Sequence, residues 1–148
     1  METSKKLTKR RIHDLAVPAW LRLVRVYHKV DHVLLAQLRA HDLSIAQFDV
    51  LAHVGVNEGL TQQELADHLL VTKGNVVQLL DRMSEQGLLE RRQSGRCNRL
   101  YLTEAGRRLY ATAIPEHEEA VAQLFAPLTP DEQRQLSALL RQLDRALE

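Results

Sequence analysis

Thr61-Gln62-Gln63-Glu64-Leu65-Ala66 and, a few residues on, Thr72-Lys73-Gly74-Asn75-Val76-Val77-Gln78-Leu79-Leu80-Asp81-Arg82-Met83 decide the fold. The first segment opens with a threonine and places a glutamate three residues later, the pattern of a capping box. Leu65, Ala66, Leu69 and Leu70 then supply the apolar stripe of a short helix. In the second segment Thr72 is placed to cap another helix. Its inner face is Val76, Leu79, Leu80 and Met83, and Gly87 is its stop. Two short helices joined by a tight turn predict a helix-turn-helix. The second helix of such a pair lies in the DNA major groove and reads base edges with its N-terminal residues. Those residues are Thr72, Lys73, Gly74, Asn75 and Gln78. Asn and Gln pair bidentately with adenine, Lys reaches guanine, and Thr meets a base edge or a thymine methyl. Gly74 lets a backbone approach closely, and no acid precedes Asp81 where phosphate would repel one.

Downstream, Leu88-Leu89-Glu90-Arg91-Arg92 and Arg99-Leu100-Tyr101-Leu102 read as two short strands around a connection over 93–98, whose Ser94-Gly95 is a turn signal. Arg96 falls at the tip, flanked by Arg92 and Arg99. An arginine on such a turn is drawn to the negative potential of an adjacent minor groove. A solvated charged loop is the bland alternative, and the position directly behind a recognition-helix pattern favours the DNA reading. Arg82 completes the expected set of DNA contacts. Thr103 caps a fifth helix, which Pro115 should kink or break. Thr129-Pro130-Asp131-Glu132 is a strong start for a last helix carrying Leu136, Leu139, Leu140, Leu143 and Leu147.

Upstream, Ser44 and Gln47 form another capping box, with Phe48, Leu51, Ala52 and Val54 facing inward and Asn57-Glu58-Gly59 as the stop. Before it, Trp20, Leu23, Val24, Tyr27, Val30, Leu34 and Leu38 predict a long helix over about 16–40, with Pro18 in its first turn. The expected fold is mainly α with a small β-hairpin wing: a winged helix-turn-helix over 43–105, helical dimerisation regions over 15–42 and 106–148, and a flexible basic tail over 1–14.

Charge follows the same division. In the first thirteen residues Lys5, Lys6, Lys9, Arg10 and Arg11 face only Glu2, and residues 71–103 are also net basic, whereas the C-terminal end is acidic, although the whole chain carries only +1. One face is thus suited to a polyanion. No apolar run approaches a membrane span, no signal peptide is visible, and a single cysteine, Cys97, fits a reducing cytoplasm. No glycine-rich phosphate loop, serine elbow or convincing acid pair marks an enzyme, and no cofactor site is expected. Acids such as Asp67 and Asp81 read as solvated helix positions. His28 and His32, four apart, have a spacing compatible with zinc, but without further ligands they read as surface histidines, so no metal is expected. Cys97 in a basic loop reads as incidental rather than as a redox switch.

From Leu65 through Gly106 the chain resembles the MarR family of bacterial transcription regulators. The matching text is Thr61–Ala66, Thr72–Val76, Leu80-Asp81-Arg82-Met83, Gly87–Arg91 and Leu102–Gly106, together with Phe48-Asp49-Val50-Leu51. The resemblance implies a homodimer with interlocked terminal helices, a palindromic double-stranded DNA operator, action as a repressor, and release by a small phenolic or otherwise apolar effector. It carries the recognition positions onto Thr72, Lys73, Asn75 and Gln78. It departs at the wing, where the family pattern of Asp, a basic residue and Arg reads Ser94-Gly95-Arg96. In the family that Asp helps to brace the wing.

The long helices carry more apolar surface than one small domain should hide, which a two-fold dimer would bury; an intramolecular helix pair is the alternative. An effector pocket would draw on Trp20, Tyr27, His28, Phe48, Asp49 and Arg91, unless these are ordinary core and surface, with Asp49 and Arg91 forming a structural ion pair. The rival functions are a winged-helix protein-interaction module without DNA binding, which an apolar or acidic face at Lys73, Asn75, Gln78 and Arg96 would have favoured, and a metal- or redox-responsive regulator.

Overall fold

Local capping chemistry sets most helix starts in the computed structural model, which describes the backbone of residues 2–69 and 73–148 and the side chains of 15–69 and 74–148. The chain divides into two units, 1–36 and 37–148.

The first unit is a single helix, α1, whose full span is Glu2–Arg39. It begins well before the expected start near residue 16, so the backbone of the segment assigned to a flexible tail is helical. The reason is propensity: residues 2–17 contain no glycine or proline, and Lys and Arg, good helix formers, make up five of them. Pro18 consequently lies inside the helix rather than in its first turn. It has no N–H to donate to the carbonyl four residues back. Leu15, Val17, Trp20, Leu21, Val26 and Tyr27 of this helix are exposed.

The second unit starts with the last turn of α1. Asp42 takes a left-handed φ of 56°, and the Leu43 amide donates back to the Leu38 carbonyl at 3.1 Å. This is a Schellman stop, with buried Leu38 and Leu43 as its hydrophobic contact. Helix α2 (Ile45–Val56) opens on the Ser44–Gln47 capping box. Helix α3 (Gln62–Leu69) opens on Thr61, whose hydroxyl accepts from the Glu64 amide at 3.2 Å while the Glu64 carboxylate accepts from the Thr61 amide at 2.7 Å. Helix α4 (Lys73–Glu85) ends in a second Schellman stop, with Gly87 at φ +72° and Leu88 donating to the Met83 carbonyl at 3.0 Å.

Strands β1 (Leu89–Ser94) and β2 (Cys97–Leu102) pair antiparallel from Leu89 opposite Leu102 to Ser94 opposite Cys97. The strands run further, and the turn is tighter, than a connection over 93–98 would allow. Only Gly95 and Arg96 remain between them, with Gly95 at φ +61°. Glycine with positive φ at the first of two turn positions is the type II′ pattern, which matches the twist of the flanking strands. A short third edge also joins the hairpin: Gly59 donates to the Leu100 carbonyl at 2.7 Å and Leu100 to the Leu60 carbonyl at 2.9 Å.

Helix α5 (Glu104–Phe125) is capped by Thr103 and continues through Pro115, so the proline does not break it. Ala113 is fully buried and Ile114 packs on the core, so tertiary packing holds the backbone helical across the missing N–H. Helix α6 (Pro130–Leu147) starts on the Thr129–Glu132 box. The core of this unit joins Val50, Leu51 and Val54 of α2, Leu65 of α3, Val76, Leu80 and Met83 of α4, Leu89 of β1, Leu100 and Leu102 of β2, and Ala113 of α5.

Candidate nucleic-acid interface

The buried trio Val76, Leu80 and Met83 fixes the roll of α4, so the opposite edge must face solvent. That edge presents Gly74, Asn75, Gln78 and Arg82, all exposed. Asn75, Gln78 and Arg82 are spaced three and four residues apart and share one side of the helix. Their side chains have no hydrogen-bond or ion-pair partner among the described residues. With Ala46 of α2 and Leu79 they line a shallow groove of about 330 Å³. Thr72 and the side chain of Lys73, both expected contacts, lie outside the described residues. A Cβ built on Gly74 meets nothing within 4 Å, so the protein itself does not require glycine there.

The wing arginines divide by role. Arg96, at the turn, is exposed and has no partner among the described residues. Arg99 donates to the Gly59 carbonyl at 2.8 Å. Arg92 pairs with Glu90 and lies over the Tyr101 ring, 4.2 Å from its centroid. Arg91 pairs with Asp81 of α4 at 2.6 Å and donates to the Val77 carbonyl at 3.3 Å, stapling β1 to the recognition helix. The expected Asp49–Arg91 ion pair is therefore not formed. Nor is Asp81 merely a solvated helix position, because its partner comes from the neighbouring strand.

The residues expected to line an effector pocket are distributed as follows. Trp20, Tyr27 and His28 are exposed on α1, with the Tyr27 and His28 rings edge-on at 5.8 Å. Phe48 is buried, its ring 4.3 Å from the imidazole of His117 on α5. Asp49 sits beside His53 and His117. Burial raises its carboxyl above the usual value, and the two histidine charges only partly offset this. Burial likewise lowers His117, against the opposing charges of Asp49 and Glu118. The structure thus brings Phe48 and Asp49 together around His117 and turns Arg91 away to α4. His117 and His53, the latter stacked on His68 at 5.3 Å, were not singled out from sequence because neither carries a local motif.

Among the described residues no group of three or more His, Cys, Asp or Glu side chains is placed to hold a metal ion. His28 and His32 are exposed, as is Cys97. No helix of the described residues is long and apolar enough to cross a membrane.

A helix-turn-helix with a free polar edge on its second helix, followed by an arginine-tipped hairpin, defines a winged-helix DNA-binding protein. Residues 41–96 match the family model described as MarR family. An uncharacterized HTH-type transcriptional regulator of Bacillus cereus (strain ATCC 10987 / NRS 248) is 32% identical over 130 residues, covering 87% of this chain and 88% of that protein. Regulator PecS of Dickeya dadantii is 26% identical over 131 residues, with 84% and 79% coverage. Among solved structures, a mutant MarR from E. coli complexed with operator DNA superposes with a TM-score of 0.78 at 27% identity, over 86% of this chain and 94% of that one. The transcriptional regulator SlyA, at 20% identity and a TM-score of 0.76, shares the fold. The chain belongs to the MarR family and is a helix-turn-helix transcription regulator, not an enzyme.

Proposed function

We propose that this regulator is a homodimeric repressor that binds a two-fold-symmetric operator in the cytoplasm through Thr72, Lys73, Gly74, Asn75, Gln78 and Arg82 in the major groove and Arg96 in the adjoining minor groove, and that a small aromatic or apolar effector releases it. The observation that carries the reading is the polar edge of α4 with Arg96 at the wing turn, neither having a partner among the described residues, in a domain whose other wing arginines make internal contacts. The operator-bound E. coli relative supports DNA as the partner. Exposed Leu139, Leu140, Leu143 and Leu147 on α6, and the exposed apolar residues of α1, support self-association. Phe48, with Asp49 and His117 beside it, is the apolar and polar pairing an effector would meet.

Selection of bound duplexes from a random pool tests this. The expected product is an inverted repeat with half-sites about one helical turn, ~34 Å, apart. In retardation assays on that duplex, Arg96→Ala weakens binding across sequences, and Asn75→Ala or Gln78→Ala relaxes preference at individual base pairs by ~1–3 kcal/mol. A pool that yields no enriched sequence, or an asymmetric one, overturns the proposal.

A further inference from the structure

Arg96 sits at the end of a lever. A strand rises ~3.4 Å per residue, so the arm from Leu102 to Cys97 is about 17 Å long, and a rock of about 10° at its base moves the tip by about 3 Å. A shift of that size is enough to break a hydrogen bond. The tip is held only by its strand pairing: among the described residues no side chain from Ser94 to Asn98 takes part in a hydrogen bond or ion pair. Any orientation of Arg96 must therefore be set at the hairpin's root.

The root converges on Glu58, in the link between α2 and α3. One carboxylate oxygen accepts from the Leu102 amide at 3.1 Å, where β2 ends. Both oxygens accept from Arg107 of α5 at 3.2 Å. The next residue, Gly59, accepts from Arg99 through its carbonyl and donates to Leu100. The Tyr101 hydroxyl lies 3.1 Å from where a Gly59 Cβ would stand, and Arg92 lies over that ring. Partial burial pushes the Glu58 carboxyl up, but the Arg107 and Leu102 hydrogen bonds and the charges of Arg107 and Arg92 outweigh it and hold the group below its usual value. The carboxylate is thus the charged form in place at neutral pH.

We infer that Glu58 is a positioning residue for DNA binding: its bridge from the Leu102 amide to Arg107 clamps the root of the wing and fixes where Arg96 is presented. It does not touch DNA itself. This inference rests on the reading of Arg96 as a DNA contact.

The test is a double-mutant cycle on the duplex recovered from the random pool, with Glu58→Ala, Arg96→Ala and the double variant, and Glu58→Gln as the conservative form. Glu58→Ala should weaken binding on the order of tenfold in the Arg96 background and hardly at all in the Arg96→Ala background, because a clamp has no value without the group it aims. Glu58→Gln keeps an acceptor for the Leu102 amide and should lie between wild type and alanine. The chain's only cysteine, Cys97, is exposed at the tip and accepts a nitroxide label. Label mobility in the DNA-free protein should rise in Glu58→Ala, a change that a general loss of stability below the melting transition would not produce. If Arg96→Ala leaves affinity unchanged, the DNA role of the wing fails. If Arg96→Ala weakens binding while Glu58→Ala has the same effect in both backgrounds, or leaves the label immobile, the positioning role alone is overturned. Should Glu58→Ala not fold, the glutamine variant carries the same cycle.

Discussion

Gly106→Ala tests the joint between the wing and α5. A Cβ on Gly106 would stand 2.0 Å from the Leu88 carbonyl oxygen, 3.0 Å from its carbon and 3.4 Å from the Leu102 Cβ. Ordinary carbon–oxygen contact begins near ~3.3 Å, so the helix must retreat by more than about 1 Å. The obstructing atom is backbone and has no rotamer to change. It also accepts from the Thr103 amide at 3.1 Å, and Thr103 caps Gly106 at 3.0 Å, so the retreat strains the same joint twice. Overpacking costs ~1–3 kcal/mol. Loss of the backbone hydrogen bond and of the cap adds about 1 kcal/mol each. Alanine in a helix returns ~0.5–1 kcal/mol. The expected net destabilisation is about 2–4 kcal/mol, which lowers Tm by roughly 6–13 °C in a chain of this size. Calorimetry at one fixed protein concentration measures it, because association shifts apparent stability. Gly55→Ala is the internal comparison. Its Cβ would meet the Tyr110 ring at 2.3 Å, but a ring at the edge of the core can swing aside, so the loss should be smaller. An unchanged or raised Tm for Gly106→Ala, or a larger loss at Gly55, refutes the packing argument.

Gly74→Ala, with open space around its Cβ, should leave stability unchanged or raise it by up to about 1 kcal/mol while weakening DNA binding; retained affinity in a retardation assay would show that no backbone approaches there. Asp49 is raised by burial from a reference of 3.8, so between that value and its folded pKa the folded state binds more protons, and stability falls as pH rises through the window. Asp49→Asn should therefore be more stable than the parent at neutral pH in urea titrations, with the gap closing as pH approaches about 4, near the unfolded value; a less stable variant at neutral pH contradicts the sign. Leu143→Asp alters an exposed α6 residue and should lower the sedimenting mass and DNA affinity without loss of helical signal, whereas an undiminished mass would remove α6 from the proposed dimer surface.

The features legible in the sequence are those decided within a few residues. The boxes at Ser44, Thr61 and Thr129 form because the capping hydroxyl and its partner lie three positions apart, and Gly87 stops α4 because only a few residue types accept its φ. The α4 edge was legible for the same reason, since the spacing of Val76, Leu80 and Met83 dictates what faces away. Features settled between distant segments left no local mark. Gly59–Thr61 forms an edge of the wing because Leu100, some forty residues away, takes its hydrogen bonds. Pro115 is tolerated because Ala113 and Ile114 have a core to enter, and Pro18 lies mid-helix because nothing before it breaks α1. Glu58 read as part of a helix stop, because Leu102 and Arg107 declare themselves only in three dimensions.

The wing arginines differ in what holds them. Sequence proximity makes Arg92, Arg96 and Arg99 equivalent cations beside a recognition helix. Geometry separates them: Arg99 has a carbonyl and Arg92 has Glu90 and the Tyr101 face, while their neighbour Arg91 has Asp81 and Val77. The Arg99 and Arg91 contacts tie the hairpin to the α2–α3 link and to α4, and the Arg92 contacts brace one strand of the hairpin against the other. Together they reduce the conformational freedom that Arg96 would lose on entering a groove. Affinity from a single tip arginine depends on that freedom being removed before binding. A basic stretch of this kind acts less as a sum of charges on phosphate than as one exposed guanidinium oriented by the others, and for that reason neutralising Arg91 or Arg99 should impair DNA binding through the placement of Arg96.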